Sequence, residues 1–279
     1  MTRVSILSAF ACFVLIGCSS LLYYPSPHAF VDPAQLPVKP DQRRFLINDV
    51  DSQSYDIVAW HFRTPKTDSP KATLIHFHGN GQNLTSHFAS LYWLLNEGFD
   101  LLIFDYPGYG LSSGEPSPRN TVLVGQKIIE YFRDDHPNMP LIIYGESLGG
   151  AVAIKSVLQL KDRKNIKAVV ADSTFLSYQK TAHRFLSRHW LTWLFQPLAW
   201  VLISDKWAPG ESVSQISPIP LLVIHGTADN IVDYDLGEEV YNLAGNPKQL
   251  IKIQDGMHIQ SFAGPQKAEI KKQFLDFIR

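Results

Sequence analysis

Cysteine is almost missing from this chain: its 279 residues include two, Cys12 and Cys18, both near the start. The body of the protein can therefore hold no disulfide framework, no cysteine-based metal site and no cysteine nucleophile. An excess of charge of one sign is missing as well, since 25 basic and 26 acidic side chains leave a net charge of -1. Such a balance offers no footprint for a nucleic-acid backbone, and DNA or RNA is not expected as a partner. Internal repeats and low-complexity blocks are also lacking. What remains is 45% hydrophobic residues against 18% charged, enough for one large core and hence one globular domain.

The first residues read as an address. Arg3 precedes an apolar run from Val4 to Gly17 that is too short for a confident membrane span. It resembles a bacterial secretion signal, and Leu15-Ile16-Gly17-Cys18 resembles a lipobox. That resemblance implies a signal peptide over 1–17, cleavage before Cys18 and acylation of Cys18, since several acyl chains hold firmly where one holds weakly. An uncleaved anchor helix extending through Leu21 to Tyr24, or an accidental cysteine in an apolar stretch, is the other reading. Ser19, with no Asp in its place, resembles the outer-membrane sorting pattern of Gram-negative cells. The expected location is the cell envelope, lipid-anchored and facing the periplasm. Pro25, Pro27, Pro33 and Pro37 lock φ and remove donors, so 18–40 is expected to be an extended tether rather than a packed element.

From residue 41 to 279 the pattern is that of a single domain. Two lead-in strands, Arg44 to Ile47 and Ile57 to Phe62, precede short apolar runs alternating with amphipathic segments. Strands are expected at Thr73–Phe77, Leu101–Phe104, Leu141–Tyr144, Ala168–Ala171, Leu221–Ile224 and Leu250–Ile253. Helices are expected at Leu84–Asn96, Val122–Arg133, Leu148–Leu160, Asp235–Leu243 and Phe262–Ile278. This alternation demands right-handed crossovers and an α/β fold with a mostly parallel sheet covered by helices. The strand-to-helix junctions then open at one edge of the sheet, where active sites of such folds collect.

One junction carries Gly145-Glu146-Ser147-Leu148-Gly149, an apolar strand turning straight into a helix through Gly-x-Ser-x-Gly. So tight a turn strains Ser147 and lifts its hydroxyl above the sheet, beside helix N–H groups suited to an oxyanion. A serine hydroxyl needs a base and an orienting acid. Asp229 follows the strand ending at Ile224, and His258 lies between the last strand and the last helix, giving the order nucleophile, acid, base. Asp172 is a rival acid, Asp233 is expected to cap the next helix, and Asp255 sits too close to His258 along the loop to orient it easily. His61, His87, His136, His183 and His189 are read as surface or core residues. His76 and His78 share a strand face, but no acid or cysteine stands near them in the sequence, so neither metal nor cofactor is expected.

These motifs together, with His78-Gly79-Asn80-Gly81, Asp105-Tyr106-Pro107-Gly108-Tyr109-Gly110-Leu111-Ser112 and His225-Gly226-Thr227-Ala228-Asp229, resemble the α/β-hydrolase superfamily over nearly all of 72–279. Within it they resemble the single-domain, membrane-associated subgroup related to yeast bud-emergence proteins. The resemblance implies Ser147, Asp229 and His258 as a triad, with Asn80 and Leu148 as oxyanion donors. It implies that Asp105 and Tyr106 shape the floor near the site, although a rigid turn is the preferred reading of them. One departure is Ile259, where relatives often carry a polar residue beside the histidine.

Between about 174 and 215 the pattern turns aromatic, with Phe175, Tyr178, Phe185, Trp190, Trp193, Phe195, Trp200 and Trp207, where such folds insert a cap. The aromatics either pack the cap onto the body or form an acyl pocket or lipid-facing surface. The expected activity is hydrolysis of an ester or thioester from a small-molecule or lipid acyl substrate, by a chain acting as a monomer. A serine peptidase and a non-catalytic envelope binding module stay open as alternatives.

Overall fold

The computed structural model describes residues 22–50, 53–188 and 190–279. Cys18, the apolar run before it and His189 lie outside them. The strands are β1 (Asp41–Val50), β2 (Gln53–Phe62), β3 (Thr73–Phe77), β4 (Asp100–Phe104), β5 (Leu141–Glu146), β6 (Ile166–Asp172), β7 (Leu221–Gly226) and β8 (Lys248–Ile253). They form one sheet in the order β1-β2-β4-β3-β5-β6-β7-β8. β1 and β2 pair antiparallel, β2 joins β4 antiparallel, and every pairing from β4 through β3 to β8 is parallel. The expected mostly parallel sheet is therefore present.

Its inner strands are buried along their whole length, as parallel strands covered on both faces must be. One apolar layer packs α2 (Pro118–Asp135), α3 (Leu148–Gln159) and α6 (Tyr234–Leu243) on one face. The other packs α7 (Lys267–Ile278) and the segment from α1 (Leu84–His87) to Glu97 on the opposite face. The cap comprises α4 (Tyr178–Ser187), a 3-10 turn at Trp193–Phe195, α5 (Leu198–Leu202) and a 3-10 stretch at Gly210–Ile216.

Three expectations differ from what is observed. The helix expected over Leu84–Asn96 ends at His87 and continues as 3-10 turns, Phe88–Ser90 and Tyr92–Glu97. Ser90 back-bonds to the His87 carbonyl at 3.0 Å, and the tighter pitch stacks Leu91 and Leu94 on one buried face. The last helix starts at Lys267 rather than Phe262, because Gly264 and Pro265 occupy the intervening turn. Phe262 instead packs against Trp93 and Phe274, with ring centroids 5.3 and 5.2 Å away.

The third difference is the proline-rich segment. Residues 22–38 have no strand or α-helix, as the prolines dictate, yet they are docked rather than free. Tyr23 is buried with its hydroxyl 3.1 Å from that of Thr121. Asn83 Nδ2 donates to the carbonyls of Ser26 and His28 at 2.9 and 2.8 Å, and the Phe30 N–H donates to Thr85 Oγ1 at 2.9 Å. Lacking a ladder, the backbone polar groups of this segment are met by side chains of the loop after β3.

Candidate active site

The strand order places the site. β3 leads leftward to β4, whereas β5, which pairs with β3 on its other side, leads through α3 to β6. The loops leaving β3 and β5 therefore diverge, and a crevice opens between their ends. Ser147 stands at the end of β5 with φ 54° and ψ -122°. This left-handed strain is imposed by close packing: a Cβ on Gly149 would lie 2.1 Å from the Phe77 carbonyl oxygen, and one on Gly145 would lie 2.4 Å from that of Gly149. Only glycines let α3 press this close to β3, and that pressure holds the hydroxyl outward.

Three side chains from distant parts of the sequence meet there. The Ser147 hydroxyl lies 3.0 Å from His258 Nε2, and His258 Nδ1–H donates to Asp229 Oδ2 at 2.7 Å. With Nδ1 carrying the proton, the Nε2 lone pair faces the hydroxyl, which is the tautomer a general base requires. Asp229 Oδ1 accepts the N–H groups of Ile231 and Val232, each at 2.9 Å. Burial favours the neutral carboxyl of Asp229. Hydrogen bonds from His225 and His258 outweigh it and hold the group well below the ordinary carboxylate range.

His225 is a member that sequence reasoning passed over. Its Nε2–H donates to the Val232 carbonyl at 2.9 Å and lies 3.3 Å from Asp229 Oδ2, so it braces the acid from below. The signal was present: a histidine closing the apolar run Leu221-Leu222-Val223-Ile224 must be buried, and a buried imidazole needs a partner. Ser173 was missed as well. Its Oγ accepts the Ile259 N–H at 3.2 Å, so the residue after His258 is steadied through its backbone, although its side chain is apolar.

The rival carboxylates are engaged elsewhere. Asp172 accepts from the Tyr144 hydroxyl at 2.7 Å and the Ser173 hydroxyl at 3.0 Å, while its carbonyl takes the Ser147 N–H. Asp233 stands at the N-cap position of α6 but makes no capping bond there; it pairs instead with Arg188 at 2.5 Å. Asp255 takes a hydrogen bond from Gln254.

Leu148 is the first residue of α3, so its N–H has no intrahelical acceptor. Across the crevice, Asn80 is gripped by its side chain. Its Oδ1 accepts from the Tyr109 hydroxyl at 2.7 Å and from the N–H groups of Tyr24 and Gly81 at 2.9 Å, while Nδ2 donates to the Leu22 carbonyl at 2.6 Å. The docked N-terminal segment thus holds the loop that carries Asn80. Asp105 and Tyr106 form a turn, as preferred, but also reach this loop: the Tyr106 hydroxyl donates to the His78 carbonyl at 2.9 Å, and Asp105 accepts the Leu84 N–H at 2.7 Å.

Beneath the loop lies a buried cluster that the sequence did not reveal. His87 Nδ1 donates to Glu146 Oε1, His87 Nε2 donates to the Gly81 carbonyl at 3.2 Å, and His76 Nε2 lies 3.5 Å from Glu146 Oε2. Burial opposes the charge on Glu146, but His76 and His87 outweigh it and keep the carboxyl well below its ordinary range. Burial also opposes the His87 cation, and Glu146 outweighs that in turn. His87 thus has a carboxylate partner that favours its protonated form, rather than being a passive core residue. His76 and His78 do have acids nearby, Glu146 and Asp105, brought in from far along the sequence. Among the described residues no group of three or more histidines, cysteines or acids is arranged to hold a metal ion.

The family model described as "Serine aminopeptidase, S33" matches residues 68–213. The chain is 30% identical to the Salmonella typhimurium protein designated "Uncharacterized protein YfhR", over 100% of this chain and 96% of that one. It is also 30% identical to the "Lysophosphatidylserine lipase ABHD12" of Danio rerio over 68% of this chain, which spans 51% of that relative's length. Among solved structures it is similar to the Pyrococcus furiosus esterase Pf2001, with a TM-score of 0.71 and 20% identity over 92% of this chain and 97% of that one. At that identity the last likeness speaks for the fold alone.

Proposed function

The chain belongs to the serine aminopeptidase S33 family and is a hydrolase of α/β fold, and from that premise we propose that it cleaves an ester or thioester through an acyl-enzyme on Ser147. The observation that carries this reading is the unbroken relay from the Ser147 hydroxyl through His258 to Asp229. In the first step the Ser147 proton passes to His258 Nε2 as Oγ bonds to the substrate carbonyl carbon. The Asn80 and Leu148 N–H groups receive the resulting oxyanion. His258 then hands its proton to the departing alkoxide or thiolate, and the acyl group stays on Ser147. Water repeats the sequence: His258 takes its proton, the hydroxide attacks, and Ser147 leaves with the proton restored.

An ester is favoured over a peptide amine terminus by the local electrostatics. An aminopeptidase needs a free carboxylate for the α-ammonium group, and the two beside Ser147, Glu146 and Asp172, are buried and already paired. The ABHD12 likeness, named for a lysophosphatidylserine lipase, supports a lipid acyl ester. The motifs at 78–81, 105–112, 145–149 and 225–229 resemble those of the bud-emergence-related subgroup and support reading the chain as one of its members. Acylation of Cys18 would hold it on the cell envelope, on the outer membrane facing the periplasm.

Labelling with a fluorophosphonate probe tests the chemistry. The wild type should label and Ser147→Ala should not, with hydrolysis of short-chain esters falling by at least ~10⁴-fold. A wild type that stays unlabelled while folded would point to a binding module instead.

A further inference from the structure

The cap carries an exposed apolar surface that the triad does not use. Trp190, Trp193, Leu194, Phe195, Trp200 and Val201 are all between 50% and 84% exposed. No Asp, Glu, Lys or Arg occurs from 189 to 204. Scattered exposed leucines are ordinary, but eight exposed large apolar side chains within twelve consecutive positions, Leu191 and Leu198 included, cost water-exposed area that soluble surfaces avoid.

Two features say what covers it. The first is continuity with the active-site rim. Arg188 Nη1 donates to the carbonyls of Asn230 and Ile231, and Nη2 pairs with Asp233, which pins the end of the cap helix to the loop bearing Asp229. The exposed run begins two residues later. Ile231 beside Asp229, and Met257 and Ile259 on either side of His258, are themselves 47%, 44% and 37% exposed. The second is where the described chain starts. The buried Tyr23 hydroxyl interacts with that of Tyr178, the first residue of α4, so residue 22 stands at the foot of the cap. The described chain therefore begins close to the cap.

Rich in tryptophan, mostly apolar and free of ionised groups, this surface matches the boundary between lipid headgroups and acyl chains. We propose that the exposed cap segment 190–201, with Ile231, Met257 and Ile259, docks on a lipid bilayer and sets the mouth of the site against acyl esters held in it. The docking half stands on the surface alone, whereas the substrate half rests on the serine-hydrolase reading above.

The test uses the full chain mixed with phosphatidylcholine vesicles whose acyl chains carry bromine, a quencher of tryptophan light. The chain has six tryptophans, none before residue 60, and Trp60 is buried. Quenching thus reports the cap and not the N-terminal run. The wild type should lose about half its emission relative to unbrominated vesicles, three of the six tryptophans lying in the segment. Trp190→Ser/Trp193→Ser/Trp200→Ser should still float with the vesicles through its N-terminus but lose this response. Leu194→Asp/Val201→Asp keeps all six tryptophans, should likewise escape quenching, and guards against a misfolded triple variant. In the same double variant, turnover of a long-chain ester embedded in the vesicles should fall ~10-fold or more while turnover of p-nitrophenyl acetate in water is unchanged. Wild-type chain that floats without quenching overturns the proposal. So does a dimer in vesicle-free solution that the double variant abolishes, since a second copy would then be the occupant. If neither ester is turned over but quenching holds, the serine-hydrolase reading fails and the docking surface stands.

Discussion

The acid of the proposed triad, Asp229, is held by four hydrogen-bonding groups rather than one: His258, His225 and the N–H groups of Ile231 and Val232. Asp229→Asn keeps the shape but inverts one donor, so His258 loses its tautomer, and kcat should fall by ~10⁴-fold with the thermal midpoint little altered. His225→Phe removes one charge-assisted bond and should lower kcat by ~10-fold or more at similar KM. Asp105 behaves oppositely. Burial pushes its carboxyl up from the ordinary 3.8 to about 7, against a hydrogen bond from the Leu84 N–H. Its neighbour His78 donates from Nδ1 to the Gly79 carbonyl, and its Nε2, with no hydrogen-bond partner, lies 3.5 Å from Asp105 Oδ1, where a protonated carboxyl is welcome. The folded chain therefore keeps a proton that the unfolded chain has already released between pH 3.8 and 7. Stability from this group is present below that window and is lost as pH rises through it. Asp105→Asn cannot ionise, so its thermal midpoint should match the wild type near pH 4 and exceed it by ~5 °C near pH 8.

At the scale of elements, most of the architecture could be read from residue order, and the reason is local. Thr73–Phe77 is a mostly apolar run of strand length whose expected bounds match the strand observed, and the Gly145-to-Gly149 turn specifies its own geometry through its missing Cβ atoms. What could not be read depends on partners distant in the sequence. His87 looks like any histidine until Glu146 folds over it, and the break after α1 follows from Ser90 bonding backward, which helical periodicity does not register. The proline-rich segment reads as an extended tether because its composition denies it a ladder; the asparagines at 80 and 83 that receive it give no local sign of doing so. This docking has a measurable cost of removal. Tyr23→Ala should destabilise the fold by about 3 kcal/mol, seen in a denaturant midpoint. Asn80→Ala should lower kcat by roughly 10²-fold with little change in KM, because the backbone donor is no longer steered.

For the whole molecule, the near balance of charge sets the kind of attachment available. A net charge of -1 supplies little long-range pull toward an anionic membrane surface, so the attachment proposed above rests on apolar contact. Washing isolated membranes with molar salt should leave the chain in place, whereas Cys18→Ser should abolish palmitate incorporation; release by salt alone would contradict both the acyl anchor and the apolar surface. The grip of Asn80 on Leu22 and Tyr24 also has a practical side. Leash and catalyst share one knot, so a purification handle spliced just ahead of residue 22, or a crop made there for crystallisation, tugs on the loop proposed to receive the oxyanion. The opposite terminus is the safer splice point: Arg279 closes α7, and its backbone oxygen meets Lys167 near the start of β6, at the far end of the sheet from the crevice.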